Sequence, residues 1–200
     1  MIGPVDLEIR PLTPDTVPDL AELFGQGGDP RWCWCSFYRV RGRDWTNATP
    51  AENRAVMEAA VDENAADGRS PGLVAYRGDE AVGWTSVGPR EDYERLAYSR
   101  VLAPLDDRPV WSIICFVVGR RARRQGVASA LLDAAIAYAR SHGATTLEAY
   151  PTEIAPGTRV PAANVFNGTL TMFERAGFTV VERRQANAAS PLRPIVRLEL

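Results

Sequence analysis

Arg123, Gly126 and Ala128 spell R-x-x-G-x-A where an apolar, strand-like run, Trp111 to Val118, gives way to a helical pattern. That order of strand, tight turn and helix start suits an anion. Glycine lets the backbone come close, successive N–H groups converge, and the helix N-terminus contributes partial positive charge. Arg120, Arg121, Arg123 and Arg124 form a dense basic cluster at the same turn. The same residues also fit an ordinary strand-to-helix connection flanked by solvated arginines, so the glycine turn alone does not fix the chemistry.

Val117 to Leu132, VVGRRARRQGVASALL, resembles the acyl-CoA-binding signature of the GNAT N-acetyltransferase superfamily, whose pattern Q/R-x-x-G-x-G/A falls on Arg123 to Ala128. Phe173 to Phe178, FERAGF, resembles the aromatic-x-x-x-Gly-Phe ending that closes the last helix of such enzymes. The two motifs lie in the family's order, with the strand-like TTLEAYP between them. They cover the C-terminal half, while the N-terminal half matches only in pattern. The resemblance implies a single α+β domain over residues 1–200, with a mixed sheet covered by helices. It also implies a splay between the strand ending at Val118 and the strand ending at Tyr150, with the pantetheine arm of acetyl-CoA in the gap. Main-chain groups of Phe116, Val117 and Val118 are then expected to pair with that arm. The N–H groups from Arg124 through Gln125, Gly126, Val127 and Ala128 to Ser129 are expected to hold the pyrophosphate, with charge from Arg123 and Arg124. Phe173 is expected against the thioester end.

Amide formation from acetyl-CoA needs a neutral amine and a protonated or stabilised leaving thiolate. A tyrosine often stands four residues before the glycine of the closing Gly-Phe in this family, where this chain has Phe173, which has no proton to give. Some relatives carry a glutamate in the strand before the signature, where this chain has Ser112. Glu148 and Tyr150 are the candidate base and acid, because positions two apart on a strand share a face. The alternative is a paired carboxylate and a packed tyrosine with a satisfied hydroxyl. Trp32, Trp34, Phe37, Tyr38, Trp84 and Tyr93 come from segments that border the acceptor side in this fold. As a set they suit an apolar or cationic amine held between ring faces.

Composition narrows the classes. Of 200 residues, 46% are hydrophobic and 24% charged, the balance of an ordinary globular protein. All 23 basic residues are arginine, so lysine Schiff-base chemistry and autoacetylation of a lysine are excluded. A net charge of −2 argues against general nucleic-acid binding. No segment approaches the ~20 apolar residues of a membrane span. The start, MIGPVDLEIRPL, has no basic stretch followed by an apolar one, so a cytoplasmic location is expected, and the wealth of Arg and Ala suggests a bacterial source. Cys33, Cys35 and Cys115 are too few for a disulfide framework, and with His142 as the only histidine no metal site is expected. Reduced, partly buried thiols are expected instead, with Cys115 structural. The acceptor is expected to be a small-molecule amine. A protein or peptide acceptor, a non-catalytic acyl-CoA-binding module and a homodimer stay open.

The elements that must position these residues follow from periodicity. Val5 to Leu12 alternates as a strand, and Asp15 to Phe24 reads as a helix stopped by Gly25 and Gly27-Gly28. Thr49-Pro50-Ala51-Glu52 is a capping box opening a helix to about Ala66. Leu73 to Tyr76 and Ala81 to Val87 bracket a turn and predict a hairpin. Gly126 to Ser141 is amphipathic, Leu170 to Ala176 is a short helix, and Phe178 to Arg184 and Ile195 to Leu200 close the sheet. RWCWCSFYRVRGRDW shows no clean period, and Pro151 to Ala163 reads as a loop.

Overall fold

Strands β1 (Glu8–Pro11), β2 (Gly72–Arg77), β3 (Glu80–Pro89), β4 (Trp111–Val118), β5 (Thr146–Ala149), β6 (Thr179–Arg184) and β7 (Arg193–Glu199) form one sheet in the order β1-β2-β3-β4-β5-β7-β6. The computed structural model describes residues 7–155, 157–187 and 192–200. Only the β4–β5 ladder is parallel, and it is short: Trp111, Ser112 and Ile113 pair with Leu147, Glu148 and Ala149. Beyond Ile113 the two strands part, so residues 114–118 of β4 have β3 on one edge and no strand on the other. The expected α+β fold with a splayed mixed sheet is the one observed.

Helices α1 (Val17–Gly25), α2 (Pro30–Cys33), α3 (Gly42–Asn47), α4 (Pro50–Ala66), α5 (Glu94–Ala97), α6 (Val127–Ser141) and α7 (Leu170–Arg175) cover the sheet. The capping box forms as expected: the Thr49 hydroxyl accepts from the Glu52 N–H, and Glu52 accepts from the Thr49 N–H at 2.7 Å. Ile114 joins Leu20, Phe24, Met57 and Trp84 in one core, beneath α1 and α4. Ile113 and Phe116 turn the other way and pack with Leu131, Ala135 and Phe173 beneath α6 and α7. Gly83 sets how closely α6 lies on β3, since a Cβ there would stand 2.6 Å from Val127 Cγ1.

Two short helices, α2 and α3, occupy the aromatic segment where no periodicity predicted one. The first strand is shorter than expected, with residues 5–6 outside the described residues. Among the described residues no helix is long and apolar enough to cross a membrane.

Candidate active site

A cleft of about 900 Å³ opens where β4 and β5 diverge and runs from the start of α6 to the aromatic segment. Its first end is built by the turn before α6. Arg124 and Gly126 both adopt left-handed backbone, at φ of 61° and 83°. This double reversal brings the first-turn N–H groups of α6 to the cleft wall. Val127, Ala128 and Ser129 have no acceptor inside the helix, and Ala130 is the first whose N–H bonds back, to the Gly126 carbonyl at 3.0 Å. A Cβ on Gly126 would meet nothing within 4 Å, so that side of the turn is open to a ligand. Arg120, Arg123 and Arg124 line the same wall. Open amides, a 15-residue helix dipole and three guanidinium groups suit a pyrophosphate.

The free edge of β4 forms the middle. Alternate residues of a strand bond to opposite sides. Residues 114, 116 and 118 therefore face the gap, while Val117 is paired with Trp84 of β3. Part of that edge is occupied: the Ile114 carbonyl accepts from Asn167 Nδ2 at 2.8 Å, and the Phe116 N–H donates to the Phe166 carbonyl at 2.6 Å. The Phe116 carbonyl and the Val118 N–H remain on the gap side for an amide-bearing chain. The expectation is corrected in two places. The Phe116 N–H is already used, and the main-chain groups of Val117 turn toward β3.

Gln125 is also corrected. Its side chain does not line the cleft; it donates to the Arg121 carbonyl and accepts from Arg77, each at 2.7 Å, and so braces the turn from behind. Phe173 is fully buried and stacks edge-on against Phe116 and Phe178, with ring centroids 6.1 and 5.0 Å away. It supports a lining residue and does not itself reach the cleft.

The far end is aromatic, and here the structure sorts the expected set. Trp32 is 38% exposed and lines the cleft, as do Phe37 and Tyr38. Trp34, Trp84 and Tyr93 do not. Trp84 is fully buried against Phe24, and Trp34 packs edge-on to the same ring at 5.4 Å. Tyr93 is sealed beneath Arg39 with its hydroxyl 3.2 Å from Ser86 Oγ, and burial pushes its ionisation up to about 12. Trp45 takes their place: its ring stands edge-on to both Trp32 (4.6 Å) and Phe37 (5.1 Å) and lines the cleft. Phe166 and Met172 complete the apolar wall, and Asp29 is its one carboxylate among the described residues.

Glu148 and Tyr150 share a face of β5 as expected, but that face is closed. Glu148 has no exposed surface, and its two oxygens are taken by Arg90, by Arg197 at 2.8 Å and by the Tyr150 hydroxyl at 2.7 Å. Arg197 also grips Asp106 at 2.6 and 2.9 Å, holding that carboxyl down at about 2 through the hydrogen bonds and charge of the guanidinium. Burial holds the Tyr150 hydroxyl well above its ordinary range. Neither residue lines the cleft, so the base and acid expected there are components of a buried ionic network instead.

Tyr38 is better situated. Its hydroxyl accepts from Asn167 Nδ2 at 3.1 Å, and burial raises its ionisation. Asn167 thereby links the Tyr38 hydroxyl to the Ile114 carbonyl at the mouth of the splay. Tyr38 is an acceptor contact expected from the sequence, whereas Asn167, Trp45, Phe166, Met172 and Asp29 lie outside the expected set. The glycine pair Gly27-Gly28, whose backbone is left-handed at φ of 102° and 81°, is the one local signal that the chain bends beside Asp29 to form a wall. Among the described residues no group of three His, Cys, Asp or Glu side chains is placed to hold a metal.

The model for the acetyltransferase (GNAT) family matches residues 34–166. An acetyltransferase of the GNAT family from Streptococcus pneumoniae superposes with a TM-score of 0.56 at 18% identity, covering 98% of this chain and 100% of that one. The NatC complex bound to Gag peptide and CoA gives 0.55 at 14% identity, covering 97% and 98%. A mosquito arylalkylamine N-acetyltransferase like 5b gives 0.61 at 10% identity, covering 98% and 100%. At these identities the likeness is one of fold. Curated protein sequences give no match. With the family model spanning well over half of its length, this chain belongs to the GNAT family of N-acetyltransferases, which take the acetyl group from acetyl-CoA.

Proposed function

We propose that the chain acetylates a small-molecule amine with an apolar or aromatic body, in one domain and by direct transfer. The observation that carries this is the continuity of one cleft from the amides and arginines at the start of α6 to the Trp32, Phe37, Trp45 and Phe166 wall. Both reactants then meet beside the free edge of β4, and holding them there converts a collision into a local event. Acetyl-CoA supplies an acyl group already activated as a thioester. The residues fit it: first-turn amides without partners, an open side at Gly126, and a strand edge with a free carbonyl and a free N–H.

In this reading the chain binds the pyrophosphate with Val127, Ala128 and Ser129 amides and the arginines, and the pantetheine amides with Phe116 and Val118. Asp29, exposed at the rim, draws in the cationic amine and passes its proton to solvent. Tyr38 gives a proton to the departing sulfur. Two features support that role. Its hydroxyl accepts from Asn167, so its own hydrogen is not used in that bond, and burial keeps it protonated at neutral pH. A buried phenol beside a fixed amide is a positioned acid.

The test is a panel of amines scored by release of free CoA thiol. Turnover of arylalkyl and other apolar-bodied amines above short polar amines and peptides is the expected result. Turnover of peptides alone would replace the small-molecule acceptor with a polypeptide one. CoA binding without thiol release across the panel would leave a binding module.

A further inference from the structure

The three cysteines converge although two come from the aromatic segment and one from β4. Cys35 Sγ lies 2.9 Å from Cys115 Sγ across 80 residues of chain. A disulfide spans about 2.05 Å, so closure asks for less than an ångström of movement. Cys33, two residues before Cys35, is a free thiol that lines the same cleft. Cys35 and Cys115 have little exposed surface, yet both line the cleft, which gives a small oxidant a route to them.

The backbone here is unusual. Trp34 and Cys35 are consecutive left-handed residues, at φ of 46° and 51°, and neither is glycine. That conformation is costly for L-residues and persists only where the surroundings fix it. The outcome is a thiol aimed at β4.

We propose that Cys35 and Cys115 form an oxidative modification site, joining as a disulfide in the wall of the cleft when the protein meets a peroxide. One sulfur attacks the peroxide: an S–O bond forms, the O–O bond breaks and one water leaves. The second sulfur attacks the resulting sulfenic sulfur: the S–S bond forms, the S–O bond breaks and a second water leaves. Two thiols are oxidised by two electrons in total and the peroxide is reduced to two waters. The bond ties the segment carrying Tyr38 and the aromatic wall to the strand that borders the cofactor. Burial keeps the Cys35 thiol protonated at neutral pH, so oxidation is slow and marks sustained exposure.

The full chain, first reduced and then treated with hydrogen peroxide, is denatured for thiol counting, intact mass and peptide mapping. The expected result is a fall from three titratable thiols to one, a mass lower by two hydrogens, and a cross-link between the Cys35 and Cys115 peptides. Cys33→Ser should keep the cross-link, and Cys35→Ser should abolish it. Persistence of three thiols, a cross-link mapped to Cys33, or addition of two or more oxygens in place of the link would overturn the proposal. Because the wild-type chain carries the main readout, a variant that fails to fold leaves the result intact. Acetyl-CoA, whose sulfur is blocked as a thioester and so neither consumes the peroxide nor exchanges with the disulfide, should slow the link by covering the cleft when added before the peroxide. A link that forms equally fast with acetyl-CoA supports the cysteine site and counts against the cofactor placement.

Discussion

Asn167 stands between Tyr38 and Ile114, with one amide nitrogen donating to the Tyr38 hydroxyl at 3.1 Å and to the Ile114 carbonyl at 2.8 Å. It fixes the phenol to the strand just where the sheet opens. Tyr38→Phe should keep the ring and lose the proton. The expected outcome is a fall in kcat of about 100-fold, toward the lower end for a lost general acid because a thiolate leaves readily. The KM for acetyl-CoA should hardly change. An unchanged kcat in steady-state assays would remove Tyr38 from proton transfer.

Gly126 separates strain from charge. Its φ of 83° makes Gly126→Ala cost about 1 kcal/mol of stability, read as a lower melting temperature. Gly126→Asp should cost no more in folding, since aspartate tolerates this backbone better. It places a carboxylate where the pyrophosphate is expected, so CoA affinity by calorimetry should drop at least about tenfold, or 1.4 kcal/mol. Equal CoA binding by both variants would count against the cradle.

The tryptophans should divide by location. Trp45→Ala removes a cleft wall and should raise the acceptor KM with acetyl-CoA affinity nearly unchanged. Trp84→Ala empties a sealed core position and should cost about 3–5 kcal/mol, visible in denaturant unfolding. A stable Trp84→Ala variant with a raised acceptor KM would reverse this division.

The buried network predicts two signatures. Glu148→Ala leaves Arg90 and Arg197 facing each other with no carboxylate between them and should destabilise by about 3–5 kcal/mol. Asp106 is a milder and pH-dependent case. Its folded-state pKa, lowered to about 2, lies below its ordinary 3.8. Its contribution is therefore present above about pH 4 and is lost as the pH falls toward 2. Asp106→Asn should lower the melting temperature at neutral pH, with the gap to wild type closing between about pH 4 and 2. A gap independent of pH would show that the loss is not electrostatic.

What the sequence made legible was local. The turn before α6 could be read because a left-handed glycine, a helix start and an amphipathic repeat all fall within one stretch of chain. The cap at Thr49 and the hairpin between β2 and β3 were equally self-contained. The choice between a base and a paired carboxylate at Glu148 is not legible locally, because its partners lie 58 and 49 residues away and nothing near it announces two arginines. Trp32 and Trp34 differ by a single intervening residue, yet one faces the cleft and the other the core. The left-handed step at Trp34 and Cys35 that parts them has no signature in residues that normally avoid it. Phe173 carried the family's spacing without its function, since a phenyl ring in that position settles into the core behind Phe116.

The unpaired edge of β4 also bears on how the protein is handled. An open strand edge is a template on which another chain can add itself. Here Phe166 and Asn167 cap two of its groups and leave the Phe116 carbonyl and the Val118 N–H bare. A ligand lying along that edge finishes the sheet as an extra strand would. Cofactor in the storage buffer is then a guard against edge-to-edge association, and protein stripped of it should be the first to form aggregates.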